Sequence, residues 1–319
     1  MIKNILIACS LIFLISCGSS KTNETTTTDT TTTASVKPSD IKQRNIEVIS
    51  VEGTALPESI KYKNGKLYIA NLGDANAPKD GFILVANADG SNPQKLFEGE
   101  LDSPKGFSFL TDDIIIIPDQ VNDSSLLGNI VLASIKDNKV IAKLEVPNSK
   151  FLNDTVVINP TTVAVTDTGA NSVYFINVKN NSELSLANTA TGIVGANGIA
   201  LIDGILYVAG STFGGDANGG NVYTLNTDGS AVAIWKDRKL GAGALDGIAV
   251  YNGLLYVSDW GQDLANGNAS VWAYDMNTKN VVDKISGDLS GAADIDLVDG
   301  VIYVPELTTG KIRKIDLTK

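Results

Sequence analysis

The chain has 319 residues, no histidine, two cysteines and a formal net charge of −11. The absence of histidine excludes a Ser-His-Asp triad, a histidine general base and histidine-bound zinc, copper or haem. An acidic chain without clustered Lys and Arg is also a poor partner for the phosphate backbone of nucleic acid. Catalysis or metal binding must therefore use carboxylates, amides, Lys, Tyr and water.

Residues 1–16 have the pattern of an export signal. Lys3 gives a positive start, residues 5–15 form an apolar run too short to span a bilayer, and Ser16 precedes Cys17. The stretch resembles a bacterial lipoprotein signal with its lipobox, which implies cleavage before Cys17 and lipid attachment to its thiol. We therefore expect an extracytoplasmic lipoprotein, at the outer membrane and periplasm or at the cell surface, that meets the membrane through its lipid anchor only.

Little cysteine chemistry remains in the mature chain. Cys9 leaves with the signal and Cys17 is acylated, so neither a disulfide nor a zinc–sulfur site can form. Residues 17–44 are polar and rich in threonine, and they cannot bury enough apolar surface to offset the entropy of ordering. We predict a disordered tether with a reach of about 30 Å. A plain spacer is the simpler interpretation, and glycosylation of the threonines is the alternative.

From residue 45 onward the sequence alternates apolar and polar residues with a period of two, which is typical of strands. Six segments share one template, an apolar run, a tight polar turn and a second apolar run. They are 60–69, 107–116, 155–165, 199–208, 248–257 and 295–304. Each is followed by a second pair of strands, and the unit recurs every 44 to 49 residues or so, which is typical of propeller blades.

The pattern predicts an all-β, six-bladed propeller over residues 45–319, with four antiparallel strands in each blade. The last repeat has only three strands, whereas a lone alternating strand at 45–51 precedes the first repeat. We therefore predict that this N-terminal strand completes the sixth blade and closes the ring. Tyrosines that recur at one blade position are predicted to pack between blades. They are Tyr68, Tyr207, Tyr256 and Tyr303.

One equivalent residue per blade stands two positions before the first apolar residue of each hairpin. These residues are Glu58, Lys105, Asn153, Asn197, Asp246 and Ala293. The innermost strands of a propeller line its central channel, so these side chains should converge at one mouth. Two carboxylates and two carboxamides form an all-oxygen set that suits a hard cation such as Ca²⁺, with water completing the coordination. Mg²⁺, Mn²⁺ and Zn²⁺ stay open.

A propeller with Glu, Asn, Asn and Asp on its first, third, fourth and fifth blades resembles the senescence-marker-protein/gluconolactonase (regucalcin-like) family, and more distantly diisopropylfluorophosphatase. The local sequence is similar too, in Asn153-Asp154, in 197–201 (NGIAL) and in 246–250 (DGIAV). The resemblance covers about residues 50–319.

This resemblance implies a site and an activity. Glu58, Asn153, Asn197 and Asp246 would hold a divalent metal, and Asp246 would also be the general base in lactone hydrolysis. Asp154 would hydrogen-bond a hydroxyl of a sugar-derived substrate.

Three positions depart from the family pattern. Phe151 stands where gluconolactonase-type members usually carry an arginine that holds the substrate. Lys105 could bind a substrate oxyanion, or it could pair with Glu58 or Asp246 and displace the metal. Ala293 supplies no ligand.

The loops between second and third strands should surround the same mouth as the ring residues. Phe213 and Trp260 are candidate apolar walls of a substrate site there. Candidate polar contacts are Asp119, Asp216 and Asp263. Asp167 and Asp259, which each end a second strand, are interpreted as stabilising loops.

The leading hypothesis is a monomeric, metal-dependent hydrolase of a lactone or related ester. The alternative is a non-catalytic propeller of the NHL type that binds a glycan, a peptide or a protein. A quinone-dependent dehydrogenase of propeller type is disfavoured because its usual histidine base is absent.

Overall fold

The computed structural model describes residues 44–121, 123, 125–211, 220–236, 244–261, 268–287 and 289–319. Over these residues the chain forms six four-stranded antiparallel sheets and no helix. The sheets are the blades of a six-bladed β-propeller, so the predicted fold class is confirmed. The predicted signal and tether, with Cys17, lie outside the described residues apart from residue 44. The described part of the chain contains no helix that could cross a membrane.

The blades follow one another in chain order. The first three contain β2 (Pro57–Lys63), β3 (Lys66–Asn71), β4 (Gly81–Asn87), β5 (Gln94–Leu101); β6 (Ser108–Phe109), β7 (Ile114–Asp119), β8 (Asn129–Ser134), β9 (Lys139–Glu145); and β10 (Leu152–Asn159), β11 (Thr162–Asp167), β12 (Ser172–Lys179), β13 (Glu183–Thr191). The others contain β14 (Ala196–Ile202), β15 (Ile205–Gly210), β16 (Val222–Asn226), β17 (Ala233–Lys236); β18 (Leu245–Tyr251), β19 (Leu254–Asp259), β20 (Ser270–Asp275), β21 (Val281–Ser286); and β22 (Asp296–Val298), β23 (Val301–Glu306), β24 (Lys311–Asp316), β1 (Ile46–Ile49).

Asn-Gly and Asp-Gly turns set the register of four inner hairpins. Their first residues have φ near +50°, as at Asn64 and Asp203, and the following glycines, such as Gly65 and Gly204, have φ of 76° and 78°. Two successive positive φ values are typical of the type I′ turn, whose twist matches that of the paired strands. Because the turn fixes the pairing, it also fixes which residue stands at the channel end of each inner strand.

The core lies between blades. Six clusters of buried apolar residues each join two neighbouring blades, and together they run around the ring. The recurring tyrosines take part as predicted. Tyr256 and Tyr303 are buried members of these clusters, whereas Tyr68 and Tyr207 are partly buried against them. Each blade therefore covers the apolar face of the next.

The ring closes as the sequence predicts. β1 pairs antiparallel with β24, from Ile46 opposite Ile315 to Ile49 opposite Ile312. Since the first strand of a blade leaves the channel mouth and each following strand reverses direction, β1 begins at the face opposite the mouth. The Nη1 atom of Arg44 donates to the carbonyl of Leu317 at that face. The segment that precedes residue 44 therefore joins the propeller on the side away from the mouth.

A buried ion pair holds this closure. Arg44 Nη2 lies 2.6 Å from Asp283 Oδ2 on β21, and both side chains are 8% exposed. Replacing Arg44 with alanine leaves that carboxylate buried without its partner, so we expect a loss of about 3 kcal/mol in the free energy of unfolding. Denaturant unfolding measures the loss. Glu47→Gln, three residues further along on β1, is the matched control, because its pair with Lys314 is exposed and should contribute less than about 1 kcal/mol. Equal effects of the two variants would contradict a latch at Arg44.

Candidate functional site

The structure places the predicted ring residues at equivalent positions. Glu58, Asn153, Asn197 and Asp246 are each the second residue of an inner strand, and each is at most 6% exposed. We call these four residues the oxygen ring. Lys105 and Ala293 immediately follow the residues that form isolated bridges at the corresponding places in blades two and six. Six equivalent positions thus surround one end of the channel.

A β-bulge at each member of the oxygen ring turns its side chain out of the ladder. The register shifts between Leu152 and Thr155, and again between Ala196 and Ile199. Blades one and five carry the same irregularity at Glu58 and Asp246. Bulges re-aim side chains in this way beside functional sites.

One oxygen of every member of the oxygen ring is buried and has no hydrogen-bond partner. These atoms are Glu58 Oε2, Asn153 Oδ1, Asn197 Oδ1 and Asp246 Oδ1. Leaving a buried polar atom unsatisfied costs about 1–3 kcal/mol, so four such atoms at one channel end point to a ligand. The spacing of these residues in the sequence is independent of their burial and hydrogen bonding, so the two observations support each other.

The two carboxamides are held with their oxygens available. Thr168 Oγ1 donates to the carbonyl of Ala196 at 2.9 Å, so it can only accept from Asn153 Nδ2, at 3.1 Å. Asn197 Nδ2 donates to the carbonyl of Leu245 at 3.4 Å. Each amide nitrogen donates a hydrogen bond, which fixes the orientation of the carboxamide. Each Oδ1 is then left without a partner. Contacts of this kind orient metal ligands before the metal binds.

Trp260 performs the same task for Asp246. Its Nε1 donates to Asp246 Oδ2 at 2.6 Å, which leaves Oδ1 without a partner. The indole is 5% exposed and packs with Ala244 and Ala293. The alanine in the sixth ring position therefore gives room to the indole. Trp260 was predicted as an apolar wall, and the structure adds a hydrogen bond to a ring carboxylate.

The donor set fits a hard divalent cation. Carboxylate and carboxamide oxygens are what Ca²⁺ takes, and all four unpartnered atoms are of these kinds. Within the described ranges no three Asp, Glu, His or Cys side chains form a metal-binding group. Two of the four donors here are asparagines, so the set does not depend on such a group.

Burial disfavours the charged form of the ring carboxylates. It raises the pKa of Glu58 to about 8, with Asp294 adding repulsion and Lys105 opposing it. The pKa of Asp246 also lies well above its usual range, first because of burial and then because of Glu58 and Asp294. Like charges packed together out of water shift in this direction, and a bound cation reverses the effect.

A second polar layer lies one residue further along the chain than the ring positions of blades one, three and six, at Ser59, Asp154 and Asp294. Asp294 Oδ2 accepts from Ser59 Oγ at 2.5 Å and from Lys61 Nζ at 3.0 Å. The Asp154 carboxylate accepts from the backbone N–H groups of Thr155 and Ile199. A substrate hydroxyl would have to share these oxygens, so substrate binding by Asp154 stays a prediction.

Lys105 is tied to the wall of the channel. Its Nζ donates to the carbonyl of Gln120 at 2.7 Å and lies 4.6 Å from the centre of the Phe151 ring. Among the ion pairs of the described residues, none within 4.0 Å joins Lys105 to Glu58 or Asp246. Phe151 thus makes a cation–π contact with the ammonium group of Lys105.

The carboxylates that end the second strands stabilise loops. Asp119 accepts from the N–H groups of Asp102 and Ser103, and Asp167 accepts from those of Lys150 and Phe151. Asp119, predicted as a candidate substrate contact, is fully buried in this framework role. The candidates Phe213, Asp216 and Asp263 lie outside the described residues.

Sequence reasoning missed two supporting residues of the site, Thr168 and Ser103. The signal for Thr168 was its position: it directly follows a second strand, as Trp260 does in its own blade. Ser103 is fully buried, and its Oγ lacks a partner. No pattern in the sequence marked it.

Solved structures share the fold of this chain, although its sequence matches no family model and no curated protein. A chain of the nidogen/laminin complex is 16% identical with a TM-score of 0.54, and the match covers 72% of this chain and 80% of that one. A catalytically inactive histidine-to-alanine variant of virginiamycin B lyase from Staphylococcus aureus, with quinupristin, is 15% identical with a TM-score of 0.56. That match covers 86% of this chain and 100% of the lyase chain. At these identities the likeness shows the β-propeller fold alone.

Proposed function

We propose that the oxygen ring holds a divalent cation of the Ca²⁺ type and that the site hydrolyses a lactone or related carboxylic ester. The observation that carries the proposal is the set of four buried, unpartnered oxygens at one end of the channel. The carboxamide and carboxylate donors, and the contacts that orient them, support an oxygen-liganded metal.

The charge of the channel supports a divalent ion. Glu58 and Asp246 stand in the oxygen ring, with Asp294 and Asp154 in the layer beneath. Lys105 and Lys61 lower the pKa of Glu58, and Lys61 lowers that of Asp154. Asp296, which also acts on Lys61, adds a further carboxyl group, so the carboxyl groups outnumber the ammonium groups and the cluster favours a bound cation.

The residues of the site have separable tasks in the proposed reaction. A bound cation would polarise the ester carbonyl and stabilise the negative charge that develops on its oxygen. Asp246, whose Oδ2 is held by the indole of Trp260, would accept the proton of the attacking water. Water adds to the carbonyl carbon, the ester C–O bond breaks, and the proton passes from Asp246 to the leaving alkoxide. The product is a hydroxy acid, or an acid and an alcohol.

Metal removal tests the proposal. We expect protein stripped with EDTA to bind Ca²⁺ with a stoichiometry of one by calorimetry. Hydrolysis of a panel of lactones, followed by pH-stat, should fall by about 10³-fold or more without metal. Asn197→Ala should weaken Ca²⁺ binding and hydrolysis together. Full hydrolysis without metal would contradict the proposed mechanism.

Trp260→Phe tests the orientation of Asp246. The change keeps an apolar ring but removes the N–H that holds Oδ2, so we expect Ca²⁺ affinity to fall by about 10- to 100-fold. Trp272→Phe is the matched control, because that indole donates to Asp259 instead of to a member of the oxygen ring. Calorimetry on both variants gives the comparison. Equal affinities would show that the indole N–H has no part in holding the ligand.

A binding module is the second candidate. Leu126 and Leu127 are 48% and 42% exposed in the loop between β7 and β8, and Val194 is 52% exposed before β14. These positions lie on the mouth side, where a peptide, glycan or protein could bind. One structural neighbour comes from a complex of two proteins. Retention of partner binding in a metal-free protein that hydrolyses no lactone would favour this candidate.

The anchor proposed from residues 1–17 has a consequence for access. Because the chain enters the propeller at the face opposite the mouth, the tether of a lipid-anchored protein would leave the mouth uncovered. We propose an extracytoplasmic lipoprotein whose substrate arrives from the aqueous side. Metabolic labelling with a fatty acid, in the chain and in Cys17→Ser, tests the anchor.

A further inference from the structure

We propose that the substrate carries an acid group beside its reacting ester, and that Lys105 with Ser103 forms the subsite that binds this group. The inference rests on the proposed function and narrows its substrate class to acid-bearing lactones or esters. It concerns the second blade, next to the oxygen ring.

Lys105 is a buried charge whose described partners are neutral. Its side chain is 1% exposed, and the ammonium is held by the carbonyl of Gln120 at 2.7 Å and, more weakly, by that of Ser103 at 3.5 Å. No carboxylate of the described residues lies within 4.0 Å of it. Taking an ammonium out of water without a close counter-ion costs several kcal/mol, so an anion that binds beside Lys105 would recover part of this cost.

The other lysine of the channel shows the contrast. Lys61 lies 3.0 Å from Asp294 Oδ2, so its charge is already neutralised within the chain. The carboxylates that interact electrostatically with Lys105 are Glu58 and Asp119. Glu58 belongs to the oxygen ring, and Asp119 is occupied by two backbone N–H groups. Lys105 is therefore the cation left for a ligand.

Ser103 supplies a second, independent donor. It is fully buried, and its Oγ has no hydrogen-bond partner. The carbonyl of Ser103 accepts weakly from Lys105, at 3.5 Å. The hydroxyl and the ammonium therefore belong to residues two apart in the segment before β6. A hydroxyl without an acceptor, and an ammonium with one close and one distant carbonyl acceptor, suit the two oxygens of a carboxylate.

Phe151 fixes the direction of the ammonium. The ring lies on one side of Nζ at 4.6 Å, and the carbonyl of Gln120 takes one of its N–H donors. An ammonium has three donors. The carbonyl of Ser103 takes a second donor only weakly, at 3.5 Å, so the remaining hydrogen-bonding capacity is directed away from Phe151 and Gln120. If the ester of a substrate binds at the oxygen ring, an acid group attached close to that ester would reach Lys105.

Two lactones of one carbon skeleton test the inference. Glucaro-1,4-lactone carries a carboxylate where glucono-1,4-lactone carries an alcohol. We expect the Ca²⁺-loaded protein to bind the acid lactone about 10- to 100-fold more tightly by calorimetry, and to prefer it to the same degree in kcat/KM. Lys105→Met should abolish this preference, and Ser103→Ala should reduce it.

Controls separate the subsite from the fold and from catalysis. Lys61→Met removes the other channel lysine and should keep the preference for the acid, while thermal unfolding and Ca²⁺ titration report whether each variant is folded. Lys105-dependent binding of the acid lactone without any hydrolysis would support the subsite and overturn the proposed hydrolase. Hydrolysis of both lactones at equal rates, or a preference unchanged in Lys105→Met, would overturn the subsite and leave the hydrolase standing. Absence of Lys105-dependent binding overturns the inference in every case.

Discussion

Asp246→Asn is expected to reduce lactone hydrolysis by about 10²–10⁴-fold, the usual contribution of a general base. The variant keeps the volume of the side chain, but it removes the negative charge that would attract a cation and the carboxylate that would accept the proton of water. The indole of Trp260, which now donates to Oδ2, can still be satisfied by the amide oxygen. In that orientation the amide turns its nitrogen toward the site, so Ca²⁺ affinity should fall as well.

Asp167→Asn is the matched control for this variant. Asp167 is a buried aspartate at the same end of the propeller, but its oxygens accept the backbone N–H groups of Lys150 and Phe151. We expect it to lower the free energy of unfolding and to leave Ca²⁺ affinity within about threefold, since none of the hydrogen bonds given for its carboxylate comes from a member of the oxygen ring. A comparable loss of affinity in the two variants would remove the special role of Asp246. Calorimetry and pH-stat assays measure both effects.

Gly198→Ala is expected to lower both stability and metal affinity. An added Cβ would stand 2.2 Å from the backbone oxygen of Asp246, so β14 and β18 would have to move apart. Overpacking of this kind costs typically 1–3 kcal/mol, and backbone cannot yield as a flexible side chain does. Because Asn197 and Asp246 stand on these two strands, the movement would separate two members of the oxygen ring.

Gly204→Ala separates this effect from the general cost of losing a glycine. Gly204 has φ of +78° in an exposed turn, and a Cβ there would meet nothing within 4 Å. It should cost about 1–2 kcal/mol in backbone strain and leave the site unchanged. We expect Ca²⁺ affinity to fall in Gly198→Ala only. Unchanged affinity there would mean that the spacing of β14 and β18 does not control the ring.

The sequence predicted the fold well because the relevant signals are local and repeated. The turn at Asn64-Gly65 requires two positive φ values, and the same chemistry recurs at Asp203, Asn252 and Asp299. Such turns fix the pairing of each inner hairpin. The closing strand was also predictable. The last repeat lacks its fourth strand, which would leave the edge of its third strand unpaired unless the N-terminal strand covers it. These features need no knowledge of contacts between blades.

The positions of the ring residues were predictable for the same reason, but their environment was not. The contact of Trp260 with Asp246 depends on which way an indole turns after a strand end, and Ala293 makes room for it from another blade. The tie between Lys105 and the carbonyl of Gln120 depends equally on the packing of adjacent strands. Spacing in the sequence gives the residues of a ring, whereas side-chain direction and hydrogen-bond partners arise only when the blades meet.

A crystal structure of the protein grown with Ca²⁺ is the most direct test of the central claim. The account predicts one ion on the channel axis, with Glu58 Oε2, Asn153 Oδ1, Asn197 Oδ1 and Asp246 Oδ1 about 2.3–2.6 Å from it. Lys105 should stay on the carbonyl of Gln120 and the ring of Phe151. An empty ring at saturating Ca²⁺, or the ammonium of Lys105 at the point where the four oxygens converge, would contradict the account.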